Sequence, residues 1–412
     1  MTRGYLSCER VQAKLFARHH ALCVLRTAGR TWSLFCFIFS CPARGHPVAT
    51  AGGTKGQLMA WCGIASLFLG MLFLMGSSAV ASDAPPAPVF FPVLPFDAPE
   101  NTSPSLVPLA TNAPLKGDHT GITRAVIGIP DETRDAGHTE SVLASLAGGL
   151  NSTTLILVPQ FLLPSDISRY VSFLPDKGKD FAAWPMGAWA LGGDSVATPP
   201  RKGISSFTVV DLLLMVLSDR RAFPDLHTIT IVGYGMGGDF VQRYAAFSLA
   251  ADAVAGQDID LRYLVANASS YLYLTAKRPL GERKGFDLPD RIACAAYNTY
   301  PYGLEKFPAY AKRGGANAAK LNYGTRFVTY LSAPSPLTPD LSCAAQTQGA
   351  DAVARSEHFK TYLHSLYGDL ASRTHLFVVS HQPVSNDAEL FSSPCGVATL
   401  FGGEGCLAQD NP

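Results

Sequence analysis

Acyl transfer by a protein needs a nucleophile held out on a sharp turn, a general base, a group that orients the base, and N–H donors for the oxyanion. One segment of this chain has the spacing for the first of these. Residues 228–232, Thr-Ile-Thr-Ile-Val, form a β-branched run, Gly233-Tyr-Gly-Met-Gly237 makes a tight glycine turn, and helical spacing follows at once. In a strand–turn–helix of this kind the middle residue of the turn carries the attacking side chain. Here that residue is Gly235, which has no side chain. Glycine relieves the positive-φ strain such a turn imposes, so the residue suits folding and removes the chemistry. Displaced hydroxyls remain as alternative nucleophiles: Ser269 or Ser380, acting with His381 as base. The run from Gly233 to Gly238 also reads G-x-G-x-x-G, the dinucleotide fingerprint. Against it, a long α/β-patterned stretch precedes the run, and the following strand ends in Ala266-Asn267 rather than in an acid for a ribose. The segment Gly235, Met236, Gly237 and Gly238 opens a helix, and its free N–H groups suit a carboxylate or another anion.

Past the turn, the run Gly238-Asp-Phe-Val-Gln-Arg-Tyr-Ala and then Arg262-Tyr-Leu-Val-Ala-Asn-Ala-Ser-Ser-Tyr-Leu-Tyr-Leu resemble an exported α/β-hydrolase-like family with G-H-S-A-G-G-x-F-V-Q-R-Y-A at its elbow. Leu157-Val-Pro-Gln-Phe161, Gly193-Asp-Ser195, Ser205-Ser-Phe207, Tyr297-Asn298, Tyr302-Gly-Leu-Glu305, Ser342-Cys-Ala-Ala-Gln346 and Cys395-Gly-Val-Ala-Thr-Leu-Phe-Gly402 follow in matching order. The resemblance runs from about residue 123 to 406. It implies an α/β fold with a mostly parallel central sheet, helices on both faces and an irregular cap insertion. It also places the remaining catalytic parts. Where the family has its acid, this chain has Ser335; where it has His-Asp, this chain has Ser385-Asn386, with His381 a few residues earlier as a fallback base. The oxyanion loop reads Ile129-Pro130-Asp131; proline lacks an N–H, and a carboxylate repels an oxyanion. The resemblance therefore implies a degenerate member, a binding or scaffold module for a small molecule or a protein. An active hydrolase with a displaced nucleophile is the alternative, and a dinucleotide-binding protein the less favoured one. No cofactor or metal is implied.

Positioning such a site takes alternating strands and helices. Strands are expected at 124–129, 153–158, 228–232, 261–266, 326–331 and 376–380, and helices at 207–219, 240–251 and 358–370. Residues 176–200 read as a loop excursion, and 271–325, broken by Pro279, Pro289, Pro301 and Pro308, as the cap. Trp184, Trp189, Tyr271 and Tyr273 serve either a pocket lining or the core.

The domain proper is expected over 119–408, after a Pro-rich linker at 83–118. Before it, residues 59–82 lack charge, are strongly apolar from Ile64 to Met75, and end in Ala79-Val-Ala81, a signal-peptidase pattern. This gives a secreted protein if cleaved near Ala81. Otherwise residues 58–80 remain as a membrane anchor with the C-terminal domain lumenal or extracellular. Residues 1–58 carry eight Lys and Arg against Glu9 alone. They read as a cytosolic tail, a transit-like extension, or sequence upstream of a true start at Met59. Asn101, Asn151 and Asn267 lie in glycosylation sequons. The four cysteines beyond the leader allow three connectivities; the pairing expected is Cys294–Cys343 with Cys395–Cys406, buried free thiols being the alternative. With 33 Lys and Arg against 32 Asp and Glu, and no basic patch interleaved with aromatics, the chain lacks a nucleic-acid footprint.

Overall fold

A computed structural model describes residues 88–406, apart from 101, 175–179, 200 and 282, together with two short N-terminal strands. Those two, β1 (Cys23–Thr27) and β2 (Arg30–Leu34), form an antiparallel hairpin in a unit, 1–82, separate from the rest. The leader at 59–82 and the sequon asparagine Asn101 lie outside the described residues. No helix among the described residues is long and apolar enough to cross a membrane.

The second unit is built on an eight-stranded sheet. Its strands are β3 (Val89–Val93), β4 (Ser105–Thr111), β5 (Arg124–Ile129), β6 (Thr154–Pro159), β7 (Thr228–Tyr234), β8 (Asp260–Ala266), β11 (Phe327–Ser332) and β12 (His375–Val379), in the order β12-β11-β8-β7-β5-β6-β4-β3. The ladders from β6 to β12 are all parallel. β9 (Arg278–Leu280) and β10 (Arg283–Asp287) make a separate hairpin in the cap insertion. The central strands read as near-continuous apolar runs because both faces are covered. Successive residues therefore enter different cores. Ile127, Leu157, Ile229 and Ile231 pack under α2 (Ser206–Leu217) and α3 (Met236–Phe247), with Leu213, Phe240 and Tyr244. Val126, Ile156, Val232 and Leu264 pack under α1 (Ala136–Ala147), α5 (Asp387–Phe391) and α6 (Pro394–Phe401), with Leu143, Phe391 and Leu400. Between α3 and α5 in the chain, α4 (Ala352–Tyr367) joins the first of these layers through Phe359 and Leu363. This is the α/β-hydrolase fold, with a glycine elbow joining β7 to α3.

The linker expected at 83–118 contributes two strands to the sheet. β3 and β4 pair antiparallel, and β4 continues antiparallel onto β6. The prolines misled the sequence reading. Pro92 lies in β3 at the sheet edge, where a missing N–H disrupts no ladder. Meanwhile Phe91, Val93, Val107 and Leu109 alternate inward and are buried. Trp184, Trp189, Tyr271 and Tyr273 are all 1% exposed or less. They belong to the core, not to a pocket wall.

Candidate functional site

Parallel strands deliver their C-terminal ends to one edge, where loops converge. In register, Ile129 of β5 stands beside Gly233 of β7, and Tyr234 beside Ala266 of β8. The loops after Ile129, Tyr234, Ala266 and Ser332 therefore meet over the elbow. Gly235 has φ +57° and ψ −121° and caps α3, the strained turn that its neighbours dictate. A side chain on Gly237 would press 2.7 Å from the carbonyl oxygen of Pro130, one on Gly238 2.6 Å from that of Ala266, and one on Gly233 2.9 Å from Gly237 Cα. These three glycines are fixed by close approach of backbone to backbone. Helix α3 starts at Met236, four residues ahead of the expected boundary, because the turn itself nucleates it.

Gly235 differs from its neighbours. A Cβ there would meet only side-chain ends: Glu132 Oε2 at 3.0 Å and Leu337 Cδ1 at 3.2 Å. The volume where an attacking group would project thus holds a carboxylate from the β5 loop and a leucine from the β11 loop. Loss of hydration pushes the Glu132 carboxyl above its ordinary range, and the charges of Asp131 and Asp239 push it further the same way.

The remaining catalytic positions do not assemble. Ser335 lies beside the Tyr234 hydroxyl, one residue from the elbow. The Ser385 N–H donates to Glu389 Oε2 at 2.8 Å, and Asn386 Oδ1 caps α5 by accepting from the Glu389 N–H at 3.1 Å. His381 is exposed and makes no hydrogen bond among the described residues. Ser380 Oγ accepts from the Gln382 N–H at 3.1 Å and closes its own turn. The Ser269 hydroxyl donates to Asp239 Oδ2 at 2.5 Å, and its carbonyl accepts from Arg355 at 2.6 Å. Among the described residues no imidazole hydrogen-bonds either serine. In the oxyanion loop the carbonyl oxygens of Ile129 and Pro130 face Gly237. The N–H groups of Met236, Gly237 and Gly238 have no acceptor among the described residues. Asn267, where a dinucleotide fold would offer an acid, is 1% exposed and accepts from the Ala333 N–H at 2.8 Å.

Several residues here were not singled out as site residues from the sequence. Asp239 and Arg243, four apart on α3, pair at 3.3 Å in the buried floor. Asp239 also accepts from the N–H groups of Ser269 at 3.0 Å and Ser270 at 3.3 Å. Burial raises its carboxyl, opposed by Arg243. On the other side of the sheet, His138 Nε2 lies 3.3 Å from Asp387 Oδ1, tying α1 to α5. The i,i+4 spacing of Asp239 and Arg243 was readable; the His138–Asp387 pairing, across the whole domain, was not.

Both expected disulfides are present, Cys294–Cys343 and Cys395–Cys406. Asn151 is exposed, its Oδ1 accepting from Asn112 at 2.8 Å. Asn267 is a correction: its burial leaves no room for a glycan on the folded domain.

No family model and no curated protein sequence matches the chain. Among solved structures, it is similar to poly(aspartic acid) hydrolase-1 from Sphingomonas sp. KT-1, at 18% identity and TM-score 0.47, covering 76% of this chain and 98% of that one. It is also similar to LpqC, a poly(3-hydroxybutyrate) depolymerase from Bordetella parapertussis, at 16% identity and TM-score 0.48, covering 78% and 92%. The siderophore hydrolase EstA from Aspergillus nidulans is similar at 11% identity and TM-score 0.37, covering 79% and 96%.

Proposed function

We propose that this chain uses the α/β-hydrolase architecture to bind rather than to hydrolyse, as a module of the secretory pathway. One observation carries the reading: residue 235 is glycine at the elbow, and Glu132 and Leu337 occupy the space its side chain would use. Three further features support it. The serine nearest a buried carboxylate, Ser269, points its hydroxyl at Asp239 with no imidazole beyond it. The acid and base positions are Ser335 and Ser385. The oxyanion loop has a proline and an acid where donors belong. A triad enzyme without its nucleophile loses about a millionfold in turnover.

The test is hydrolysis of short p-nitrophenyl esters by the purified full chain, beside Gly235→Ser. Neither is expected to exceed buffer, since a restored hydroxyl still lacks an imidazole. Turnover by the unmodified chain that vanishes in His381→Ala would overturn the reading in favour of a displaced nucleophile. Export is supported by the apolar 59–82 leader, by the exposed sequon at Asn151, and by two disulfides, which persist in oxidising compartments. Mass spectrometry of the secreted protein is expected to find its N-terminus near Ser82. An N-terminus ahead of residue 59 on membrane-bound protein would mean an anchor instead.

A further inference from the structure

Away from the elbow, a cleft of about 640 Å³ opens between the edge strands β3 and β4, the first turns of α1 and the segment that follows β6. That volume suits a small organic molecule. Ala136, Gly137 and Glu140 line it from one face of α1. Val89, Ala110 and Phe173 line it with carbon, and Phe173 leaves 48% of its surface to solvent. The walls are fixed without a ligand. Arg134 takes φ +60°, and its ion pair with Asp166 and the bond from the Gln160 amide to its carbonyl hold it there. Gln160 Oε1 also accepts from the Ala136 N–H at 3.1 Å, and Asp135 Oδ1 from the His138 N–H at 3.0 Å. Two leading N–H groups of α1 are thereby used, and the helix terminus has little left to offer an anion.

Three carboxylates line the cleft, and two of them are engaged. Asp135 caps α1, and Asp166 accepts from Arg134 and from the Leu163 N–H at 2.8 Å. Glu140 is the exception. It is half-buried, and among the described residues it makes neither a hydrogen bond nor an ion pair. Burial alone pushes its carboxyl above the ordinary range. The half-buried Tyr170, on the short helix Ile167–Val171, also has a hydroxyl with no hydrogen bond among the described residues. Arg169, the lining cation outside an ion pair among the described residues, is exposed, where solvent screens it. The unmet charge inside the cleft is therefore negative, and the unmet surface is apolar. We propose that this cleft binds an organic amine: an ammonium or guanidinium held by Glu140, with the Tyr170 hydroxyl as the other open polar contact and an apolar body along Val89, Ala110 and Phe173. The site is separate from the elbow, so it stands whether or not the chain turns over esters.

The test is calorimetric titration and thermal shift of the full chain at pH 7 with n-hexylammonium, n-butylammonium and hexanoate. One-to-one binding of hexylammonium and a raised Tm are expected, with hexanoate giving neither. Butylammonium should bind up to about sixteenfold more weakly, at about fourfold for each methylene buried. Glu140→Gln keeps the shape and removes the charge. It should weaken hexylammonium binding about tenfold or more, as loss of a charge-assisted hydrogen bond does. Phe173→Ala should weaken it less, and Glu357→Gln, at an exposed carboxylate on α4, should leave it unchanged. No binding of hexylammonium, hexanoate binding as well as the amine, or an affinity untouched by Glu140→Gln overturns the proposal. The last of these means adsorption of an amphiphile elsewhere on the surface. Because Glu140 makes no bond that folding needs, its variant is expected to fold and decides the matter even if Phe173→Ala does not.

Discussion

The floor beneath the elbow and the mouth above it are built to different standards. Below, Asp239 accepts from Arg243, from the Ser269 hydroxyl and from two backbone N–H groups, while Arg243 also reaches the Ser270 hydroxyl at 2.9 Å and the Pro301 carbonyl at 3.3 Å. Above, among the described residues, Glu132 makes no ion pair, the Tyr234 hydroxyl makes no well-formed hydrogen bond although Ser335 and Asn267 lie beside it, and the His381 side chain makes none. What an elbow needs in order to fold is thus separable from what it needs in order to react. Glycines at 233, 237 and 238 and the buried ion pair meet the first need. The second required a side chain at 235, and the chain has none.

The sharpest way to break this contrast is to substitute inside the turn. Gly237→Ala would drive a methyl into the Ile129 and Pro130 carbonyls, and a loss above about 4 kcal/mol, or no folded protein, is expected. Gly235→Ala meets only movable side-chain ends, so its cost is the φ +57° strain alone, about 1–3 kcal/mol. Denaturant melts of the two variants give the comparison. Equal losses would mean that position 235 is as tightly packed as its neighbours.

The floor should be nearly as intolerant. Arg243→Ala leaves Asp239 buried and unpaired, expected to cost about 3–5 kcal/mol in chemical denaturation. A loss below 1 kcal/mol would show that the Ser269 and Ser270 donors satisfy the carboxylate unaided.

Away from the site, His375 at the start of β12 is 6% exposed, and burial pushes its imidazole down to about 4 from 6.5. The unfolded chain then binds the extra proton between those two values. Stability from this group is complete above pH 6.5 and falls as the pH drops towards 4, by up to about 3 kcal/mol. Denaturation at pH 7 and pH 4.5, with His375→Phe as the flattened reference, checks both sign and size.

Much of this arrangement was readable from residues alone. Thr228 to Val232 announced a buried strand, Gly235 a turn, and the spacing after it a helix, because local sterics decide all three. The strands at Arg124–Ile129, Thr154–Pro159 and Asp260–Ala266 were legible within a residue or so of their bounds, the second as a continuous apolar run covered on both faces. Two parts were hidden for physical reasons. β3 and β4 carry Pro92 and Pro108, whose breaking tendency masked an inward alternation that only the neighbouring β6 makes useful. Helix α1 depends on Asp135, whose side chain accepts from the His138 N–H, and has an apolar face too narrow to stand out. The occupants of the mouth were harder still. Asp131 was visible as a carboxylate hostile to an oxyanion, but the reach of Glu132 to residue 235, and that of Leu337, exists only once the sheet has brought their loops together.

The smallest expected effect tests the mouth itself. Glu132→Gln removes a charge repelled by Asp131 and Asp239 and paired with no cation among the described residues. Because its folded-state carboxyl titrates above the unfolded one, ionised Glu132 opposes folding, and the opposition grows as the pH rises through its folded pKa. The variant should therefore be at least as stable as the parent at pH 7, by a few tenths of a kcal/mol given its solvent exposure. The difference should fade at pH 3.5, where both side chains are neutral. A parent more stable than the variant at pH 7 would reveal a cation reaching Glu132. The mouth would then be as fully compensated as the floor, and the contrast between them would disappear.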